Sequence, residues 1–150
     1  VNVSWSYRSS TPSDASWMAE LRAVVLHPDL ERLGRFDPVR VRQRFFDAFE
    51  PRFSRVIVVE EADVGMIAVR PEADAVWIEH FYLAPQWQGL GVGGDVLRAV
   101  IAEERGAVSP VPYRLNVLQG SAARRLYERH GFVVESEDEV DVFMRCVPVR

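Results

Sequence analysis

The chain has 150 residues, 48% of them hydrophobic, enough apolar surface for the core of one domain spanning 1–150. A net charge of −4 with no basic stripe argues against nucleic acid as a partner, and no apolar run approaches membrane-spanning length. All 18 basic residues are arginine, which excludes lysine Schiff-base chemistry. The single cysteine, Cys146, excludes an internal disulfide, and the scattered His27, His80 and His130 suggest no metal site. The opening Val1-Asn-Val-Ser-Trp5 lacks the charged and apolar regions of a secretory leader, so a cytoplasmic protein is expected.

Trp5–Ser9 reads as an opening strand. Thr11-Pro12-Ser-Asp14 follows as a helix start, with a cap residue, proline at the first helical position and acid in the first turn. Trp17, Leu21, Val24 and Val25 are its expected inward face, and Pro28 is expected to end it near His27. Asp37-Pro38 repeats the start signal for a second helix, with Val41, Phe45, Phe46 and Phe49 inward. Arg55–Glu60 and Val64–Val69 read as strands joined at Glu61-Ala-Asp63, and Val76–Leu83 as a third. A helix is expected over Asp95–Glu104, a strand over Tyr113–Val117 after the Gly106 and Ser109–Pro112 loop, and a helix over Ser121–His130 capped by Gly131. Phe132–Glu135 and Val140–Val147 close the chain as a hairpin. These elements give a mixed α+β fold with a mostly antiparallel, twisted sheet and helices on both faces.

Between the third strand and the next helix lie Gly89, Gly91, Gly93 and Gly94. Strand, glycine turn and helix start together make an anion site, because the first helical N–H groups have no intrahelical partner and glycine lets a phosphate approach the backbone. The nucleotide-triphosphatase loop requires a lysine, which this chain lacks. Gly89–Gly94 also fits G-x-G-x-x-G, yet that dinucleotide fingerprint wants a carboxylate roughly twenty residues on, where Tyr113-Arg-Leu-Asn-Val117 has none.

A third family fits better. Gln88-Gly-Leu-Gly91-Val-Gly93 resembles the Q/R-x-x-G-x-G/A signature of GNAT-type N-acetyltransferases, and Ala123-Arg-Arg-Leu-Tyr127-Glu-Arg-His-Gly131-Phe132 is similar to the second half of their pattern. The resemblance runs from about Val56 to Val147 and implies the GNAT acyl-CoA N-acyltransferase fold. It also implies acetyl-CoA as cosubstrate and a small-molecule or peptide amine as acceptor, with no metal. By that resemblance Phe81, Tyr82 and Leu83 offer backbone to the pantetheine arm. Gln88, Gly89, Leu90, Gly91, Val92, Gly93 and Gly94 cradle the pyrophosphate, with Ser121 and Ala123 as further contacts and Asn116 orienting substrate. Tyr127 is the implied general acid, protonating the departing thiolate.

Glu79 is the candidate general base. Strict alternation would set Trp77, Glu79, Phe81 and Leu83 on one face, giving a carboxylate among apolar neighbours, with His80 on the other. Where many members carry asparagine, this chain has Gly120. The acidic run Glu135, Glu137, Asp138, Glu139 and Asp141 suits either a cationic acceptor or a solvated turn. A catalytically silent acetyl-CoA-binding regulatory module is the alternative function, and a homodimer is compatible with either.

Overall fold

The computed structural model describes residues 3–103 and 111–148. Its strands are β1 (Ser6–Ser9), β2 (Ser54–Val59), β3 (Ala62–Pro71), β4 (Val76–Leu83), β5 (Tyr113–Leu118), β6 (Val133–Glu137) and β7 (Asp141–Cys146). They form one seven-stranded sheet in the order β1-β2-β3-β4-β5-β7-β6. Every neighbouring pair is antiparallel except β4 and β5. Glu104, Gly106 and Ser109, part of the expected helix end and loop, lie outside the described residues.

The helices are α1 (Ala15–Arg32), α2 (Pro38–Ala48), α3 (Val92–Ile101) and α4 (Ala123–Arg129). The larger core cluster includes Val96, Leu97, Val100 and Tyr127 from α3 and α4, packed with β-strand residues such as Ile67, Ile78 and Leu115. A smaller cluster joins Met18, Ala19 and Phe45 of α1 and α2 to Val56 and Met66. Side chains alternate across a strand, so β2 and β3 supply both layers.

Three expectations about α1 and α2 are corrected. Helix α1 does not stop near His27 but runs through Pro28 to Arg32. A proline removes the hydrogen bond to the carbonyl four residues back, here Val24, which is 53% exposed and has solvent at hand. Beyond the proline, Arg32 donates to the Gln119 carbonyl oxygen (2.6 Å) and ties the helix end to the turn after β5. The buried residues of α1 are Met18, Ala19 and Ala23 rather than Val24, because small alanines let the helix lie close to the sheet. In α2, Val41 and Phe45 are buried as expected while Phe46 is 45% exposed. Its N-terminus is fixed by Asp37, whose Oδ1 accepts from the N–H groups of Val39 and Arg40 (both 3.0 Å).

Helix α3 begins at Val92 rather than Asp95, so Gly93 and Gly94 lie in its first turn. A Cβ at Gly93 would sit 3.5 Å from Leu83 and 3.6 Å from Leu126, and one at Gly94 would sit 3.5 Å from the His130 ring. These two glycines therefore set how closely α3 approaches α4 and the end of β4.

Candidate active site

The site begins where two strands part. β4 and β5 pair only at Val76–Tyr113 and Trp77–Arg114, although both strands continue well beyond. Past Trp77 the β5-facing side of β4 has no strand partner among the described residues. A bulge in β4 then resets its facing. The β3–β4 register shifts between Met66–Tyr82 and Ala68–Glu79, and His80 has a left-handed φ of 46°. Strict alternation from Trp77 to Leu83 is therefore broken. Ile78, Phe81 and Leu83 all pack toward α3 and α4, while His80 and Tyr82 point to the α1–α2 side.

Backbone direction follows from the same reset. Ala84 N–H donates to Val64 O (2.8 Å), toward β3. Successive residues of an extended strand turn their peptide groups to opposite sides, so those of Leu83 and Phe81 face the gap and that of Tyr82 faces β3. Gln88 Nε2 donates to Leu83 O (2.9 Å), pinning the glycine turn to the strand end. Gly89 (φ 76°) and Gly91 (φ 87°) hold left-handed conformations, and a Cβ built on either would meet nothing within 4 Å. Space therefore lies open over the turn. Gly91 caps α3, whose first internal bond is Asp95 N–H to Gly91 O (3.1 Å), leaving the N–H groups of Val92, Gly93 and Gly94 without an acceptor in the helix.

On the α1–α2 side the gap opens into a cavity of about 440 Å³ lined from α1, α2, β4, β5 and α4. Tyr127, 6% exposed, lines it from α4, held edge-on to Phe132 at 5.6 Å and tilted to Phe81 at 6.5 Å. Burial, reinforced by the nearby Tyr82 phenol, raises the Tyr127 pKa well above that of a free tyrosine. Its hydroxyl makes no hydrogen bond among the described residues. Glu79 lines the same cavity. Its surroundings are not the apolar ones expected from alternation, for Arg70 Nε donates to its Oε1 (2.7 Å). Its second oxygen is not hydrogen-bonded within the described residues.

His80, beside them, packs edge-on to Phe45 at 5.0 Å and lies 3.4 Å from the Tyr82 hydroxyl. Burial first, and then the Arg22 charge, depress its pKa from 6.5 to about 4. Asn116 Nδ2 donates to Asp141 Oδ1 (3.0 Å), and Ser121 Oγ accepts from Ala123 N–H (3.1 Å).

A family model described as an acetyltransferase (GNAT) domain matches residues 52–134. The chain belongs to the GNAT family of N-acetyltransferases. An aminoglycoside N(6')-acetyltransferase type 1 of Stenotrophomonas maltophilia is 36% identical to it over 110 residues, covering 67% of each chain. The fold resembles that of the PaiA N-acetyltransferase of Thermoplasma acidophilum in complex with coenzyme A (TM-score 0.74, 17% identity, 96% of this chain and 99% of that one). It is also similar to the ribosomal-protein-S18-alanine N-acetyltransferase of Escherichia coli (TM-score 0.72, 16% identity, 98% and 96%).

In this GNAT chain the fold brings Glu79, Phe81, Tyr82, Asn116, Ser121, Ala123 and Tyr127 to one cavity, with Leu83 to Gly94 at the adjoining turn. Sequence reading missed three contributors. His80 enters because of the bulge, and Arg22 because α1 is rotated relative to the expected apolar face. Arg32 answers what stands at the family asparagine position. Its guanidinium lies 2.8 Å from where a Cβ of Gly120 would be, so a side chain there would collide with it. The left-handed φ of Gly89, Gly91 and Gly131 was signalled locally, by glycine itself.

Proposed function

We propose that this protein, acting as one domain over residues 1–150, transfers an acetyl group from acetyl-CoA to a primary amine by direct attack. The observation that carries this reading is the unpaired β4 edge lying between an open glycine turn and a cavity that holds Glu79 and Tyr127. The cosubstrate fits the residues present. The free N–H groups of Val92, Gly93 and Gly94 suit a pyrophosphate, and the gap-facing peptide group of Phe81 and N–H of Leu83 suit an amide-bearing arm. A neighbouring fold crystallised with coenzyme A supports that assignment. Acetyl-CoA supplies an activated thioester; the protein supplies alignment and proton transfer.

Gap-facing β4 N–H groups offer hydrogen bonds to developing oxyanion charge. Glu79 takes the amine proton through the oxygen Arg70 leaves unbonded, as the new C–N bond forms. Tyr127 donates its phenolic proton to sulfur as the C–S bond breaks, leaving an amide and a CoA thiol. A small-molecule acceptor is favoured by the curated relative.

The test is release of CoA thiol across a panel of amines, beside calorimetry with acetyl-CoA. Amine-dependent thiol release establishes turnover. Tight acetyl-CoA binding without release from any amine would instead support the silent regulatory module.

A further inference from the structure

We propose that the acceptor amine carries an anionic group, a carboxylate or a phosphate, a few bonds from its nitrogen, and that Arg22 pairs with it. The inference rests on the acetyl-transfer reading, because it names the acceptor of that same cavity. Helices α1 and α2 turn Arg22, Arg40 and Arg44 to the cavity, and none of the three side chains makes an ion pair or hydrogen bond among the described residues. Arg40 and Arg44 are exposed and can be solvated at the rim. Arg22 is different. It is half-buried on the inward side of α1, between Met18 and Ala23, and its Nε is shut off from solvent with no acceptor among the described residues. A shielded guanidinium N–H without an acceptor is costly, so such a group is normally paired.

The protein's own acids do not fill that role. Of the carboxylates lining the cavity, Asp29 is held by Arg32 (2.9 Å), Asp37 caps α2, Glu79 is held by Arg70 and Asp141 accepts from Asn116. The side chains that feel the Arg22 charge, His80 and Tyr82, are neutral at pH 7. Three acids of the hairpin are bonded elsewhere. Glu135 pairs with Arg114 (2.9 Å), Glu137 accepts from Gln119 (2.9 Å), and Asp138 accepts from the N–H groups of Val140 and Asp141.

Arg22 therefore enters the acceptor end with no carboxylate bonded to it among the described residues. A carboxylate or phosphate would give Arg22 the planar, bidentate partner its geometry favours, while a polycation would leave its Nε unpaired. This sets the chain apart from its relative named for aminoglycosides.

The experiment compares acceptor KM for amino acids against their amides, O-phosphoethanolamine against ethanolamine, and kanamycin as polycation. Each is measured on wild type, Arg22→Met and Arg22→Lys. We expect the anionic member of a pair to show a KM lower by about 10- to 100-fold. Arg22→Met should erase the ratio, with acetyl-CoA affinity unchanged and Tm equal or higher, and Arg22→Lys should restore part of it. The two pairs distinguish carboxylate from phosphate. Binding of N-acetylglycine and N-acetylglycinamide to CoA-saturated protein reads the anion subsite without turnover. A preference for amides or kanamycin, a ratio that survives Arg22→Met, or equal binding of the two acetylated probes overturns the proposal. Failure to bind acetyl-CoA would instead strike the acetyl-transfer reading.

Discussion

Tyr127 and Glu79 face one cavity but are held in different ways. The Tyr127 ring is fixed by Phe81 and Phe132, yet its hydroxyl is bonded to nothing in the described protein. Tyr127→Phe should therefore cost no stability, because no internal hydrogen bond is lost. Turnover should fall about 100-fold, the low end of general acid catalysis, since a thiolate is already a fair leaving group. Turnover and thermal unfolding on one preparation check this; normal turnover would remove the phenol from the mechanism. Glu79→Gln keeps the shape but gives up the charged contact with Arg70. We expect turnover to drop at least ~10-fold with acetyl-CoA affinity little changed, and the low-pH limb of the rate profile to be lost. A wild-type pH profile would leave Glu79 with a structural role only.

Among the elements, β4 decides the site, and Gly65 across from it decides β4. A Cβ on Gly65 would stand 2.3 Å from Tyr82 O and 2.8 Å from Leu83 Cδ2. The backbone carbonyl cannot swing aside, so Gly65→Ala should destabilise by about 3 kcal/mol and disturb the gap-facing peptide of Leu83. Denaturant unfolding together with acetyl-CoA calorimetry reads both effects; a shift under about 0.5 kcal/mol would mean that β3 yields freely. At the turn, Gly91→Ala meets no neighbour but must hold a φ of 87°. It should cost about 1 kcal/mol and weaken acetyl-CoA binding by about tenfold or more. Unchanged affinity in the folded variant would place the pyrophosphate elsewhere.

At the scale of the molecule, two groups make stability depend on pH. Asp14, buried where β1 meets α1, bonds Arg8 (2.7 Å), Trp17 Nε1 (2.8 Å) and Thr11 N–H (2.9 Å). Arg8 also reaches Asp63 (2.7 Å), so this one cluster ties β1, α1 and β3. Arg8 above all, opposed by burial, holds the Asp14 pKa well below the carboxylate range. Its contribution is therefore present above the unfolded pKa of about 3.9 and lost as pH falls toward the folded value. His80, depressed to about 4, acts over a higher window. Between pH 6.5 and 4 the unfolded chain binds a proton that the folded one refuses, so stability declines by roughly 1–3 kcal/mol as pH falls through that window. Unfolding free energy measured across pH should show both declines. His80→Asn, which tolerates the left-handed backbone, should flatten the upper one, and Asp14→Asn should cost about 2 kcal/mol at pH 7 and flatten the lower.

Local chemistry was enough to reveal the order of strands and helices, the glycine turn and the two motifs of the GNAT family. Each depends on signals a few residues long: alternation in β2 to β4, Asp37-Pro38 at α2, and glycine where φ is positive. Gly89 to Gly94 and Tyr127 were legible for the same reason. Residues distant in sequence decided the rest. α1 runs past Pro28 because its exposed side loses little there and Arg32 finds Gln119. Its inward face is Met18, Ala19 and Ala23 because the helix must lie close to the sheet, and that rotation brings Arg22 to the cavity. The bulge at His80 shifts β4 out of the alternation that a period of two requires, and a single extra residue moves each later side chain to the other face. Phe81 and Leu83 thereby leave the face of Glu79, which meets Arg70 across the β3–β4 pair instead of an apolar pocket. A periodic pattern records which residues prefer burial. Bulges, helix rotation and charge pairing are settled only when the elements pack, because each depends on what a neighbouring element presents.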